Sequence, residues 1–180
     1  MSASAVAQNY GEALFELAGK SGRFEEYGRM MQATARAVAM SPEVQLMLVT
    51  PKVSKPAKSE IVGRALLAAG TSRDFVLYMQ AIVKRGRQAI LADIASAYGN
   101  LLDQRLNRVR ATVTLARDPD PALEEAILGS LTKVLGKEVL ATFLVEPEIL
   151  GGTIVRVGDR VFDGSVRRKL VRLKRHLLSR

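Results

Sequence analysis

The chain has no cysteine, no tryptophan and a single histidine, His176. Without cysteine there is no disulfide, no thiolate metal site and no thiol nucleophile. One histidine excludes a multi-histidine metal centre or a paired-imidazole relay. No run approaches the roughly 18 apolar residues that a membrane-crossing helix needs. The opening MSASAVAQNYGEALFELAGK lacks a basic leader, and Glu12 and Glu16 interrupt its apolar residues, so it does not read as a secretory signal. The expected compartment is the cytoplasm. Acidic residues are scarce as well: 18 Asp and Glu face 27 Lys and Arg, a net charge of +9. Such an excess points to an acidic partner, a nucleic acid or a membrane surface. Much of it is concentrated, because residues 164–180 carry seven Lys and Arg and no acid. What the chain does have is apolar material, 48% of 180 residues, enough for the core of one domain or of two small ones.

The first half has helical periodicity throughout. Val6, Tyr10, Leu14 and Leu17 form one stripe of a helix over residues 4–19, flanked by Ala3, Ala7, Ala13 and Ala18 and ended by Gly19 and Gly22. Those alanines permit close packing inside a bundle, or equally leave a shallow groove for another protein's helix. A second helix over Phe24–Ala39 turns Phe24, Tyr27, Met31, Ala35 and Val38 inward. Ser41-Pro42-Glu43 then opens a short helix that Pro51 stops. Lys52–Ala57, with Pro56, reads as a connector, followed by a helix over Ser59–Ala69. Ser72 caps a helix with Phe75, Val76, Met79, Ile82 and Val83 inward. After Gly86, a last helix runs from Arg87 to Arg105 with Ile90, Ile94, Tyr98, Leu101 and Leu102 inward. Residues 1–105 are therefore expected to form an all-α bundle of six helices.

After Leu106 the period changes. Val109, Ala111, Val113 and Leu115 alternate with Arg110, Thr112 and Thr114, a period of two. Asp118-Pro119-Asp120-Pro121 stops that strand and starts a helix over Ala122–Leu135 that Gly136 closes. Val139–Val145 is a second strand. Gly151-Gly152 marks a turn, and Gly158-Asp159 separates Thr153–Val157 from Arg160–Phe162 as a tight hairpin. In it Thr153, Val155 and Val157 point one way and Ile154 and Arg156 the other, while Val161 points opposite to Arg160 and Phe162. Asp163-Gly164-Ser165 closes the strand and offers oxygens to cap a final helix. That order, strand, helix, three strands and helix over residues 106–180, makes the whole chain α+β, a helical bundle followed by a small α/β domain with a hairpin and a basic terminal helix.

Few of these residues carry chemistry. No G-x-x-x-x-G-K-[ST] string is present, and Leu135-Gly136-Lys137 lacks its flanking residues, so Gly151, Gly152, Gly158 and Gly164 read as turn residues. Asp159 and Asp163 do not have calcium-loop spacing and read, with Ser165, as turn and cap groups. Glu146 and Glu148 straddle Pro147 in a loop, and His176 lies beside Lys174 and Arg175 on the basic helix. No metal site or cofactor is expected. On the terminal helix, Val166, Leu170, Leu173 and Leu177 form a stripe, and Arg168, Arg172 and Arg175 share the opposite side. Either that stripe docks on the chain's own sheet and leaves a solvated basic face, or the helix meets a partner helix or acidic surface. A nucleic-acid-associated protein using this helix is an alternative, although no known reader motif is present. A small enzyme built on Asp159, Asp163 or His176 is a further one.

The string Glu146-Pro147-Glu148-Ile149-Leu150-Gly151-Gly152-Thr153-Ile154-Val155-Arg156-Val157-Gly158-Asp159, followed by Asp163-Gly164-Ser165-Val166, resembles the delta subunit of bacterial F-type ATP synthases, the oligomycin-sensitivity-conferring protein of mitochondria. Tyr10-Gly11-Glu12-Ala13-Leu14-Phe15, Ser41-Pro42 and Lys84-Arg85-Gly86-Arg87 are similar to further family elements. Glu146 stands where the family often has Asp. The resemblance implies a non-catalytic stator subunit, peripheral on the cytoplasmic face of the bacterial inner membrane, in one copy per complex and monomeric when isolated. It implies that residues 1–105 bind N-terminal helices of the α subunits of the catalytic head, in a groove between the first helix (Ala7, Tyr10, Leu14, Leu17) and the fifth (Phe75, Met79, Ile82). It implies that residues 106–180 bind the b subunits of the peripheral stalk, with Arg168, Arg172 and Arg175 as contacts.

Overall fold

A computed structural model describes residues 3–178 of the chain, with side chains placed for residues 4–174. Two compact units divide it, Met1–Asp103 and Gln104–Arg180. The first is built by six α-helices: α1 (Ala3–Ser21), α2 (Phe24–Met40), α3 (Pro42–Val49), α4 (Lys55–Ala68), α5 (Arg73–Lys84) and α6 (Leu91–Arg105). Serine hydroxyls start three of them. Ser41, Ser54 and Ser72 accept the N–H groups of Val44, Ala57 and Phe75, each satisfying a donor that the first turn leaves orphaned. The expected connector at Lys52–Ala57 is shorter than anticipated. Pro56 does not break the chain there but sits in the first turn of α4, where its missing N–H costs nothing. The last helix also starts later than Arg87, because a 3-10 turn over Gln88–Ile90 precedes it.

The core of this unit is Leu14, Ala18, Tyr27, Met31, Phe75, Met79, Ile82, Ile94 and Tyr98, with Ala7 and Leu91. On α5 all five expected residues are buried. On α1 the buried line is rotated from the expected stripe. It runs Ala7, Gly11, Leu14, Ala18, while Val6, Tyr10 and Leu17 are half-buried at its edge. Close approach is the cause: a Cβ on Gly11 would lie 2.9 Å from the Ala97 Cβ, so only small side chains fit where α1 meets α6. Two tyrosines tie the bundle through their hydroxyls. Tyr98 donates to the Phe24 carbonyl at 2.7 Å and Tyr78 to the Tyr10 carbonyl at 2.8 Å. Burial, helped by neighbouring Tyr27, pushes the Tyr98 phenol up to about 12, and burial raises Tyr78 further. Lys58 is buried, its ammonium donating to the Leu48 and Thr50 carbonyls at the C-terminal end of α3. A cation there complements the helix dipole.

The second unit runs β1 (Arg108–Leu115), α7 (Pro121–Leu135), β2 (Glu138–Val145), β3 (Thr153–Val157), β4 (Arg160–Asp163) and α8 (Val166–Leu178). A 3-10 turn over Pro147–Ile149 lies between β2 and β3. The sheet order is β2-β1-β3-β4. β1 and β2 are parallel, as a crossover through α7 allows, and the β1–β3 and β3–β4 pairs are antiparallel. Gly158, at φ 56, makes the two-residue hairpin turn between β3 and β4. One face of the sheet (Ala111, Val113, Leu115, Val139, Val155) packs on Ile127, Leu128, Leu131 and Leu135 of α7. Leu140, Leu144 and Val161, which alternate to the other face, are 40–51% exposed. The α+β architecture, bundle first and small α/β part second, is the one expected from the sequence.

Candidate partner-binding surfaces

In the first unit a groove of about 320 Å³ opens between α1 and α5, lined by Ala13, Glu16, Leu17 and Lys20 on one side and Asp74, Leu77 and Tyr78 on the other. Its floor is apolar, and Leu77 is 56% exposed. The Tyr78 to Tyr10 hydrogen bond joins the two walls and holds their spacing. Glu16, Lys20 and Asp74 supply charge of both signs. A hollow thus opens between the two helices for which a groove is expected, but most of the residues assigned to that groove do not line it. Ala7, Leu14, Phe75, Met79 and Ile82 are each no more than 2% exposed. They hold the helices together and have no surface to offer a partner. The same periodicity that identified the stripe identified the core. Of the assigned residues only Leu17 lines the groove, with Tyr10 half-buried beside it. Ala13, Glu16, Lys20, Asp74, Leu77 and Tyr78 were missed. The available signal was Leu77, a large apolar residue outside the Phe75–Met79–Ile82 stripe.

A second apolar hollow, about 330 Å³, lies among α2, α3 and α6, walled by Ala35, Val38, Leu48, Val49, Ala89 and Ala92. Gln45 closes one end by donating to the Val38 and Ala39 carbonyls, and Gln88 donates to the Leu48 carbonyl.

In the second unit the candidate surface is α8. Val166, Leu170 and Leu173 are 39–55% exposed, and every residue from Val166 to Lys174 is exposed. The stripe therefore does not dock on the chain's own sheet, which removes that alternative for these residues. Arg168 and Arg172 are exposed as well. The side chains of Arg175, His176 and Leu177 lie outside the described residues.

The turn residues of the signature string come together at the root of this helix. Gly151, at φ 154, and Gly152, at φ 79, carry the chain from the 3-10 turn into β3. The Gly151 carbonyl accepts the Val166 N–H at 2.9 Å, and the Thr153 carbonyl accepts the Gly164 N–H at 3.0 Å. Asp163 accepts the Ser165 N–H at 3.0 Å, and the buried Ser165 hydroxyl accepts the Arg168 N–H at 3.2 Å, capping α8. Hydrogen bonds from Ser165, with a smaller contribution from the Arg168 guanidinium, hold the Asp163 carboxyl below its usual range. Asp159 is exposed in the hairpin turn, Glu146 is exposed, and Glu148 pairs with Arg167 at 3.8 Å. Among the described residues no three His, Asp or Glu side chains cluster as metal ligands would. Among those residues no helix is long and apolar enough to cross a membrane.

Both surfaces suit the docking of other chains. The ATP synthase delta (OSCP) subunit family matches residues 6–177. An ATP synthase subunit delta from Gemmatimonas aurantiaca is 38% identical over 96% of this chain and 92% of its own length. One from Anaeromyxobacter dehalogenans is 36% identical over 96% of each. A chain in the cryo-EM structure of the Toxoplasma gondii mitochondrial ATP synthase hexamer shares the fold, with a TM-score of 0.69 at 21% identity over 96% of this chain and 97% of that one. A family match spanning nearly the whole chain, with relatives of similar length, establishes that this protein belongs to the ATP synthase delta (OSCP) subunit family.

Proposed function

We propose that the chain is a non-catalytic stator link between the catalytic head and the peripheral stalk of an F-type ATP synthase. In this reading the first unit grips the N-terminal helix of an α subunit, and the second engages the b subunits. The chain sits peripherally on the cytoplasmic face of the membrane, in one copy per complex. The observation that carries the reading is the presence of two unspent apolar surfaces, one on each compact unit: the α1–α5 groove and the α8 stripe. A link that resists torque needs a grip at each end and no chemistry of its own. The groove suits an amphipathic helix, with Leu77, Leu17 and Ala13 meeting its apolar stripe and Glu16, Lys20 and Asp74 meeting its flanks. The exposed arginines of α8 add long-range attraction to an acidic stalk helix. An exposed apolar stripe beside those arginines favours a helix partner over a nucleic acid, for which phosphate contacts alone would suffice.

Calorimetric titration of the full chain with a synthetic α-subunit N-terminal peptide tests the first grip. One-to-one binding at micromolar or tighter, about −8 kcal/mol, is expected, and Leu77→Glu should weaken it at least about tenfold while leaving the helices folded. Absence of binding by a folded chain would overturn the groove assignment.

A further inference from the structure

Over its described side chains α8 touches the rest of its unit near its root, where Arg167 pairs with Glu148 of the 3-10 turn at 3.8 Å. From Val166 to Lys174 each residue is exposed, yet Ser165 immediately before it is 3% exposed. Over this described stretch, what fixes the helix's direction is the few residues at its root.

Those residues are clamped from both sides. The Gly151 and Thr153 carbonyls take the Val166 and Gly164 N–H groups. Asp163 and Ser165 cap the first turn, and Asp163 approaches the Arg168 guanidinium at 3.8 Å. The fit at Gly152 is the tightest element, because a Cβ there would lie 2.5 Å from the Gly164 carbonyl oxygen. The connector also holds unfavourable backbone. Leu150, a non-glycine residue, has φ 63 and is followed by Gly151 and Gly152, also at positive φ. A branched-chain residue in the left-handed region costs free energy that the surrounding contacts must offset. That conformation turns the Gly151 carbonyl toward Val166.

We propose that α8 is a pre-aimed arm, and that Gly152, Asp163 and Ser165 are positioning residues that set its direction before any partner arrives. The inference rests on the reading of α8 as a partner contact for its purpose, but not for its test. An arm already aimed spares its partner the ordering cost that a freely swinging helix would impose.

Because the chain has no cysteine, two introduced thiols are the only labelling sites. Thr142→Cys on β2 and Lys174→Cys on α8, both exposed in the native chain, take spin labels whose separation is measured by pulsed dipolar spectroscopy on the full chain without a partner. The expected result is a single narrow distance. Gly152→Val and Asp163→Ala should each lose it in favour of a broad distribution, with α8 helicity and the sheet unchanged by circular dichroism. Asp163→Asn, which keeps an acceptor for the Ser165 N–H, should recover much of the narrow peak. A broad distribution in the parent chain overturns the proposal, and so does an unchanged narrow peak in Asp163→Ala. Where Gly152→Val fails to fold, Asp163→Ala and its Asn counterpart decide. If the arm proves aimed but no b-subunit segment binds it, the stator reading fails and this inference stands.

Discussion

The two units hold the helices that carry their candidate surfaces in opposite ways. α1 is part of the core: Leu14 and Ala18 are fully buried, and the groove it shares with α5 is made from the outer edges of helices that the bundle needs anyway. On α8 the described side chains, Val166 to Lys174, are all exposed, and the helix leaves from a turn. One surface is therefore inseparable from stability, and the other is nearly independent of it. A substitution on α1 reports on folding unless it is confined to the groove rim, whereas one on α8 between Val166 and Lys174 should leave folding nearly unchanged.

The sharpest way to break this contrast is to truncate matched leucines. Leu14→Ala should destabilise the first unit by about 2–5 kcal/mol, through lost burial and the cavity left behind. Leu170→Ala should shift stability by no more than about 0.5 kcal/mol, as for a surface position. Denaturant unfolding measures both, and similar effects at the two positions would refute the comparison. Next in size is Gly152→Ala. Its Cβ would meet the Gly164 carbonyl at 2.5 Å in a left-handed conformation, so a loss of about 1–3 kcal/mol is expected in the second unit. Tyr78→Phe should follow, at about 1 kcal/mol, because it removes the hydrogen bond from the Tyr78 hydroxyl to the Tyr10 carbonyl. The same variant should loosen the α1–α5 groove, seen as weaker peptide binding in the titration above.

pH offers a subtler distinction. The raised Tyr98 phenol favours its protonated form in the folded bundle, so its contribution is complete below its ordinary value of 10.0 and is lost as pH rises through about 12. The lowered Asp163 carboxyl works in the other direction. Its contribution is present above the ordinary carboxylate range and fades as pH falls through the lowered folded value. Tyr98→Phe should flatten the alkaline limb of stability and Asp163→Asn the acid limb. If either substitution altered the opposite limb, the assignment of that group would be wrong.

Much of the fold was legible because local rules were obeyed. The α5 stripe from Phe75 to Val83, the Ser41 and Ser72 caps and the Gly158-Asp159 hairpin all follow from period and turn chemistry. Pro56 was misread because a proline marks a helix start as readily as a break, and only Ser54 accepting the Ala57 N–H distinguishes the two. The groove was misassigned for a different reason. Periodicity tells which side of a helix is apolar, and an apolar side is first of all a core side. Leu14, Phe75 and Met79 satisfy that demand, and the hollow between α1 and α5 is lined by what remains at its margin, Leu17, Leu77 and Tyr78.

The amino-acid sequence by itself determined most of the secondary structure, the α+β order and the family, since these rest on spacing, capping and short strings that neighbours along the chain enforce. Tertiary structure alone decided which apolar residues stay exposed, the parallel pairing of β1 with β2, and the exposure of α8 from Val166 to Lys174. Those outcomes depend on how closely elements far apart in sequence approach, as where Gly11 meets Ala97 and Gly152 meets Gly164. Distances of that kind are set by side-chain volumes on both partners at once, which no single segment encodes.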